Sequence, residues 1–191
     1  MTTLLVFGVS GVGKSWLCRQ AVSDLDMRHI SGSELIRTEK KRLTSQIVSA
    51  DALRLDRVVD NQQLLLDGFR IYKSRDGRPI LFDGHNVVDT DEGLVKIPSE
   101  VIFGLEPTAF VVVTDKPENV IARRAADASR ARPVRSAEAM SAYQELCVAL
   151  ACEHAGALSV PFREIRSGQT DNFIAFVEQS LKRTSPTQTQ A

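Results

Sequence analysis

The sequence predicts a three-layer α/β/α fold around a parallel sheet, on three observations. Apolar, β-rich runs occupy residues 3–7 (TLLVF), 79–82 (PILF) and 108–114 (TAFVVVT). None alternates polar with apolar residues, as expected of strands covered by helices on both faces. The stretches between them carry helical periodicity, and strands alternating with helices give parallel sheets with right-handed crossovers.

Each element has its own signal. Residues 14–25 follow the first strand as a helix. Residues 52–72 form a longer one, with Leu53, Leu55, Val58, Val59, Leu64, Leu65, Phe69 and Ile71 as its apolar stripe. Pro117 stands where a helix over 118–127 begins, a position that needs no N–H. Ser136 opens a helix over 136–154 that Gly156 is expected to close. Residues 162–165 read as a last strand and 172–183 as a last helix. Residues 184–191 (TSPTQTQA) read as a disordered tail. Within residues 86–97 the turn residues DTDEG separate two short apolar pairs, the pattern of a small hairpin or of a solvated loop.

Composition limits the function classes. The 191 residues are 43% hydrophobic and 25% charged, which suits one globular domain, placed at 1–183. Lys plus Arg and Asp plus Glu are both 24, so no global basic field suggests a nucleic acid or a membrane surface. No apolar run approaches the roughly 18 residues of a membrane span, and no leader pattern is present, so the expected setting is the cytoplasm. Cys18, Cys147 and Cys152 have neither disulfide-framework nor zinc spacing.

The strongest motif is Gly8-Val9-Ser10-Gly11-Val12-Gly13-Lys14-Ser15, a complete G-x-x-x-x-G-K-S between a strand and a helix. Its glycines let successive amides turn toward phosphates, and the helix start adds its positive end. Lys14 is placed to reach β- and γ-phosphates and the Ser15 hydroxyl to hold Mg²⁺. The reading assigns ATP to residues 8 and 10–16, with Lys14 exposed in the cleft. Trp16 stands where a small hydroxyl residue is frequent. Core packing is the preferred reading for it, and stacking on base or ribose the alternative.

Asp83 ends an apolar strand at the sheet edge where open α/β folds collect ligands, so it is read as a Mg²⁺ or nucleophile-orienting carboxylate. His85 is read either as an aid to phosphoryl transfer or as a local hydrogen-bond former, and His29 and His154 share no spacing with it. Residues 123–135 (RRAADASRARPVR) set five arginines against one aspartate. They are read as a lid over phosphates, with Arg123 and Arg130 as its catalytic members and Arg124 and Arg135 as the candidates to point outward; a solvated face or an RNA-contacting patch is the alternative. On the acceptor side, Ser31 or Ser33 caps a helix and Arg37 lies one turn along, facing back to the cleft. Arg57 and Asp60 read as a surface ion pair.

In this order the motifs resemble the small archaeal-type adenylate kinases and the related nuclear adenylate kinase isoform six. GVSGVGKS, HISGSELIR, LDRVVD, FDGH and ARRAADASRAR carry the resemblance, from residue 3 to about 182. It implies a P-loop NTPase fold of five parallel strands with a short acceptor arm and a lid. It further implies transfer of the γ-phosphate of ATP, with Mg²⁺, to AMP or a similar monophosphate. Carried over by position, Gly11, Gly13, Lys14 and Ser15 bind ATP, Ser33 and Arg37 the acceptor, and Ser15 and Asp83 the metal. Asp83, His85, Arg123 and Arg130 join Lys14 in catalysis. Two other readings stand beside this one: a P-loop ATPase or switch with a protein or RNA partner, and a kinase of a small metabolite. The acceptor base and the oligomeric state are left open.

Overall fold

The computed structural model describes residues 1–44, 58–128 and 132–184. The strands are β1 (Thr3–Phe7), β2 (Arg28–Ser31), β3 (Ile80–Asp83), β4 (Val87–Thr90), β5 (Gly93–Lys96), β6 (Ala109–Thr114) and β7 (Phe162–Arg166). The helices are α1 (Lys14–Asp24), α2 (Gly32–Thr44), α3 (Val58–Lys73), α4 (Ser99–Gly104), α5 (Pro117–Ala126), α6 (Ala137–Leu158) and α7 (Thr170–Thr184). Five strands form one sheet in the order β2-β3-β1-β6-β7, every pair parallel. Helices flank it in the three-layer arrangement expected: α1 packs on α7, β2 and β3, while α6 packs on α5, β6 and β7.

β1 and β6 are buried along their whole length, which is why their runs are continuously apolar. Phe7 meets Phe110 across β1 and β6 at 6.0 Å, and Phe82 meets Phe69 of α3 edge-on at 5.8 Å. Arg28 ties the end of α3 to β2: it donates to the Tyr72 carbonyl at 2.8 Å and lies over the Tyr72 ring at 4.8 Å.

The hairpin expected in residues 86–97 is present as antiparallel β4 and β5, and Gly93 at φ 132° makes its turn. Asn86 Nδ2 donates to the Cys147 carbonyl at 2.7 Å and the Tyr143 hydroxyl to the Val87 carbonyl at 2.8 Å, so the root of the hairpin is fixed to α6. One whole helix and one helix end depart from expectation by more than two residues. α4 had no sequence signal assigned to it. α6 runs through Gly156 to Leu158, because Ser159 takes the left-handed conformation (φ 53°) while the Val160 amide returns to the Ala155 carbonyl at 3.0 Å. Of the long helix expected from residue 52, the part before 58 lies outside the described residues, as do Arg57 and tail residues 185–191. No helix among the described residues is long and apolar enough to cross a membrane.

Gly156 separates two kinds of glycine. Nothing lies within 4 Å of a Cβ placed there, so Gly156→Ala should stabilise the helix by about 0.5–1 kcal/mol, read as a rise of a few degrees in Tm. A Cβ on Gly8 (φ 137°) would collide with the Val113 carbonyl oxygen, so Gly8→Ala should lower Tm instead. A second prediction concerns His154, buried with its Nε2 3.3 Å from Ser99 Oγ and its Nδ1 without a partner. Burial pushes its pKa below the ordinary histidine value. Above that ordinary value the ring is neutral in both states. Below it the unfolded chain takes up a proton that the fold refuses, so stability falls as pH falls. Melting curves from pH 7.5 to 5.5 should show that loss, and it should be smaller in His154→Phe.

Candidate active site

The sheet register builds the site. Val6 of β1 and Ser31 of β2 both stand opposite Asp83 of β3, so three strands end at one level. The chain segments leaving those ends converge on a cleft of about 330 Å³. It collects Ser10, Gly11, Gly13, Lys14, Ser15 and Trp16 after β1, Ser31 and Ser33 at the β2–α2 junction, Asp83 and His85 at the end of β3, and Arg123 and Asp127 from α5 and its C-terminal end.

Three glycines after β1 hold positive φ: Gly8 at 137°, Gly11 at 83° and Gly13 at 111°. Such values are open to glycine and strained for other residues, which explains their spacing in the motif. Gly13 caps α1 without a side chain, and the first turn of α1 carries no acid. The amides of Lys14 and Ser15 therefore head a helix whose positive end meets no competing carboxylate in its own first turn. Gly8 and Val12 do not line the cleft. Val12 is buried in the core, and its amide donates to the Val9 carbonyl at 3.4 Å.

Lys14 is 6% exposed, not open in the cleft as expected. Its stem lies along the loop and its ammonium donates to the carbonyls of Gly8 (2.8 Å) and Val9 (3.1 Å). Burial lowers its pKa, and the Asp83 charge 4.0 Å away works against that lowering. Its Nζ also stands 3.4 Å from His85 Nε2. Asp83 accepts a hydrogen bond from the Ser15 hydroxyl. Burial alone would raise the Asp83 pKa. His29, Lys14, Ser15 and His85 outweigh it and hold the carboxyl at about 2, so the group is anionic at neutral pH.

His29 is the residue that sequence spacing missed. Its Nε2 lies 3.9 Å from Asp83 Oδ2 because β2 and β3 are neighbours, a fact of register. Trp16, expected in the core, is 47% exposed and lines the cleft. Ser33 lines it as well, with its hydroxyl 3.3 Å from that of Ser31. Arg37 is not among the lining residues: its Nε donates to the Ser33 carbonyl at 3.2 Å.

Among the arginines of residues 123–135, Arg123 lines the cleft, paired with Asp115 and 3.2 Å from Ser167 Oγ. Asp115 follows β6 as Asp83 ends β3, so the strand-end signal would have found it. Arg132 donates to Ser10 Oγ at 3.0 Å and to Asp127 at 2.6 Å. Arg124 and Arg135, the least secure members of the lid reading, turn inward and share Asp89 at 3.0 and 2.8 Å. Arg130 lies outside the described residues.

No group of three or more His, Cys, Asp or Glu gathers among the described residues to hold a metal unaided. The Ser15 hydroxyl and Asp83 carboxylate are hard oxygen donors, and their pairing fits Mg²⁺, which takes one or two protein oxygens together with water and phosphate.

Comparison with known proteins bears on the family and the fold. An adenylate kinase of Thermococcus onnurineus is 29% identical over 156 residues, covering 80% of this chain and 79% of its own. Among solved structures, the shikimate kinase of Acinetobacter baumannii in complex with shikimate superposes with a TM-score of 0.61 at 13% identity, covering 97% of this chain and 96% of its own. A gluconokinase of Sinorhizobium meliloti 1021 gives 0.54 at 16% identity, covering 96% and 97%. A family model described as an AAA domain matches residues 7–141, from the end of β1 into the first turns of α6, and by that match the chain belongs to that family; its similarity to adenylate kinases marks it as a P-loop kinase.

Proposed function

We propose that the protein transfers the γ-phosphoryl group of ATP to a nucleoside monophosphate, AMP first among them. The supporting observation is the continuity of one cleft from the glycine loop, past Asp83, to Ser31 and Ser33. Donor phosphates at the loop and an acceptor at the β2–α2 junction would then flank a single carboxylate. Such transfer needs little covalent help, so positioning and charge neutralisation dominate.

The amides of Gly11, Gly13, Lys14 and Ser15 bind phosphate oxygens, and Lys14 carries positive charge to them by exchanging its loop carbonyls for phosphate. Arg123 adds a second cation at the cleft wall and is oriented there by Asp115. Asp83 orients the attacking group or its hydrating water, with His85 beside it and His29 behind. Mg²⁺, bound through Ser15 and Asp83, would neutralise developing phosphate charge. Ser33 holds the acceptor, and Arg37 joins it by releasing the Ser33 carbonyl.

That last requirement favours a second reading. The acceptor end of the cleft presents two serine hydroxyls while Arg37 is engaged on its own helix. A neutral, hydroxyl-bearing metabolite would suit those groups without any rearrangement.

Product analysis with ATP, Mg²⁺ and AMP, GMP, CMP, UMP, adenosine or glucose separates the readings. The first expects ADP formation that rises with a monophosphate, AMP above the others. Phosphorylation of a non-nucleotide would replace it with the second. Turnover indifferent to every acceptor would leave an ATPase. Lys14→Met should lower turnover by about 10²–10³-fold, the scale of removing one preorganised charge from a transferring group. Its Tm should fall by several degrees, because the substitution leaves Asp83 buried with one fewer cation and two loop carbonyls without a donor, while the Ser15 hydrogen bond and the nearby His29 keep the protein folded. A melting curve beside the rate measurement checks both halves.

A further inference from the structure

The carboxylate of Asp89 belongs to the hairpin and not to the cleft, yet it is tied to the phosphate loop through one side chain. Asp89 Oδ2 accepts from Arg124 Nη1 at 3.0 Å, and both side chains are only 7% exposed. The other oxygen, Oδ1, accepts from Arg135 Nε (3.2 Å) and Nη2 (2.8 Å), so the carboxylate is clamped from both sides. The strand that carries it is anchored to α6 at Asn86 and Val87. From this fixed support Arg124 extends its Nε to the main-chain carbonyl of Ser10, 2.9 Å away.

That bond has a directional consequence. The peptide linking Ser10 to Gly11 is trans and planar, so its C=O and N–H point in opposite directions. Holding the carbonyl on the Arg124 side turns the Gly11 amide the other way, and Gly11 lines the cleft. The aliphatic stem of Arg124 lies against the same glycine: a Cβ on Gly11 would stand 3.0 Å from Arg124 Cγ. Arg132 grips the Ser10 hydroxyl instead and does not fix the peptide plane.

We infer that Asp89 is a positioning residue for the phosphate loop: it holds Arg124 so that the guanidinium fixes the Ser10 carbonyl and aims the Gly11 amide at bound phosphate. The inference rests on the reading of that loop as the donor-phosphate site. It assigns the hairpin a task at the cleft although its residues contribute no lining group there.

Two variants test it. Asp89→Asn removes the charge that holds Arg124. Arg124→Lys keeps a cation for Asp89 but lacks the second donor that reaches Ser10. In ¹⁵N-labelled wild-type protein, inorganic tripolyphosphate with Mg²⁺ should shift the Gly11 amide proton downfield as it becomes a charge-assisted donor. Both variants should show a reduced Gly11 shift, and calorimetry should give affinity for MgATP about tenfold weaker, the scale of misaligning one hydrogen bond to a charged group. A merely structural role would lower Tm without moving that resonance. If Asp89→Asn does not fold, Arg124→Lys decides. Folded variants with the wild-type Gly11 shift and affinity would overturn the inference alone. Wild-type protein that binds neither tripolyphosphate nor MgATP would overturn the phosphate-loop reading beneath it.

Discussion

A charged carboxylate buried at the end of a central strand has to be compensated from every side, and Asp83 sets that demand. It is nearly excluded from water and still ionised. An isolated carboxylate in such a place would take up a proton or disrupt the fold. The hydroxyl of Ser15 and the ammonium of Lys14, at the start of α1, and the ring of His29, on β2, come from two separate parts of the chain to prevent this. Their convergence fixes α1 and the loop before it against β3, and β2 against both. The geometry useful for handling phosphate is thus also the geometry that electrostatics requires for burying Asp83.

The parts of this arrangement legible in the sequence are those written in consecutive residues. The glycine loop reads directly because its backbone needs are local: three positions of positive φ, then a lysine and a hydroxyl. The buried strands read directly because continuous apolar runs have few other uses, and Gly93 marks the hairpin by its turn. What did not read depends on neighbours distant in sequence. His29 reaches Asp83 through strand register. Trp16 and Lys14 were exchanged in expected exposure because the direction of the first turn of α1 is set by the loop that enters it. Gly156 looked like a helix end, but a glycine with empty space around it is tolerated inside a helix when the next left-handed residue completes the stop.

The arginine segment shows the same limit in its charges. Along the chain, five arginines have one aspartate among them. In space, Asp115 serves Arg123, Asp127 serves Arg132, and Asp89 serves both Arg124 and Arg135. The described part of the segment is therefore not a free basic field of the sort that attracts a polyanion over a broad surface. It is a set of individually oriented cations, one at the cleft and others bracing the backbone beside it. Arginine suits both tasks, because its fork of donors can hold a carboxylate and a carbonyl at once.

The indole of Trp16 has a consequence of a different kind. It is the only tryptophan in the chain, and it sits half in solvent on the wall of the cleft. Nearly all red-edge ultraviolet emission from the protein thus originates at the place where ligands would arrive, with no signal from the rest of the molecule to dilute it. The chain carries its own optical gauge of cleft occupancy, readable without any label.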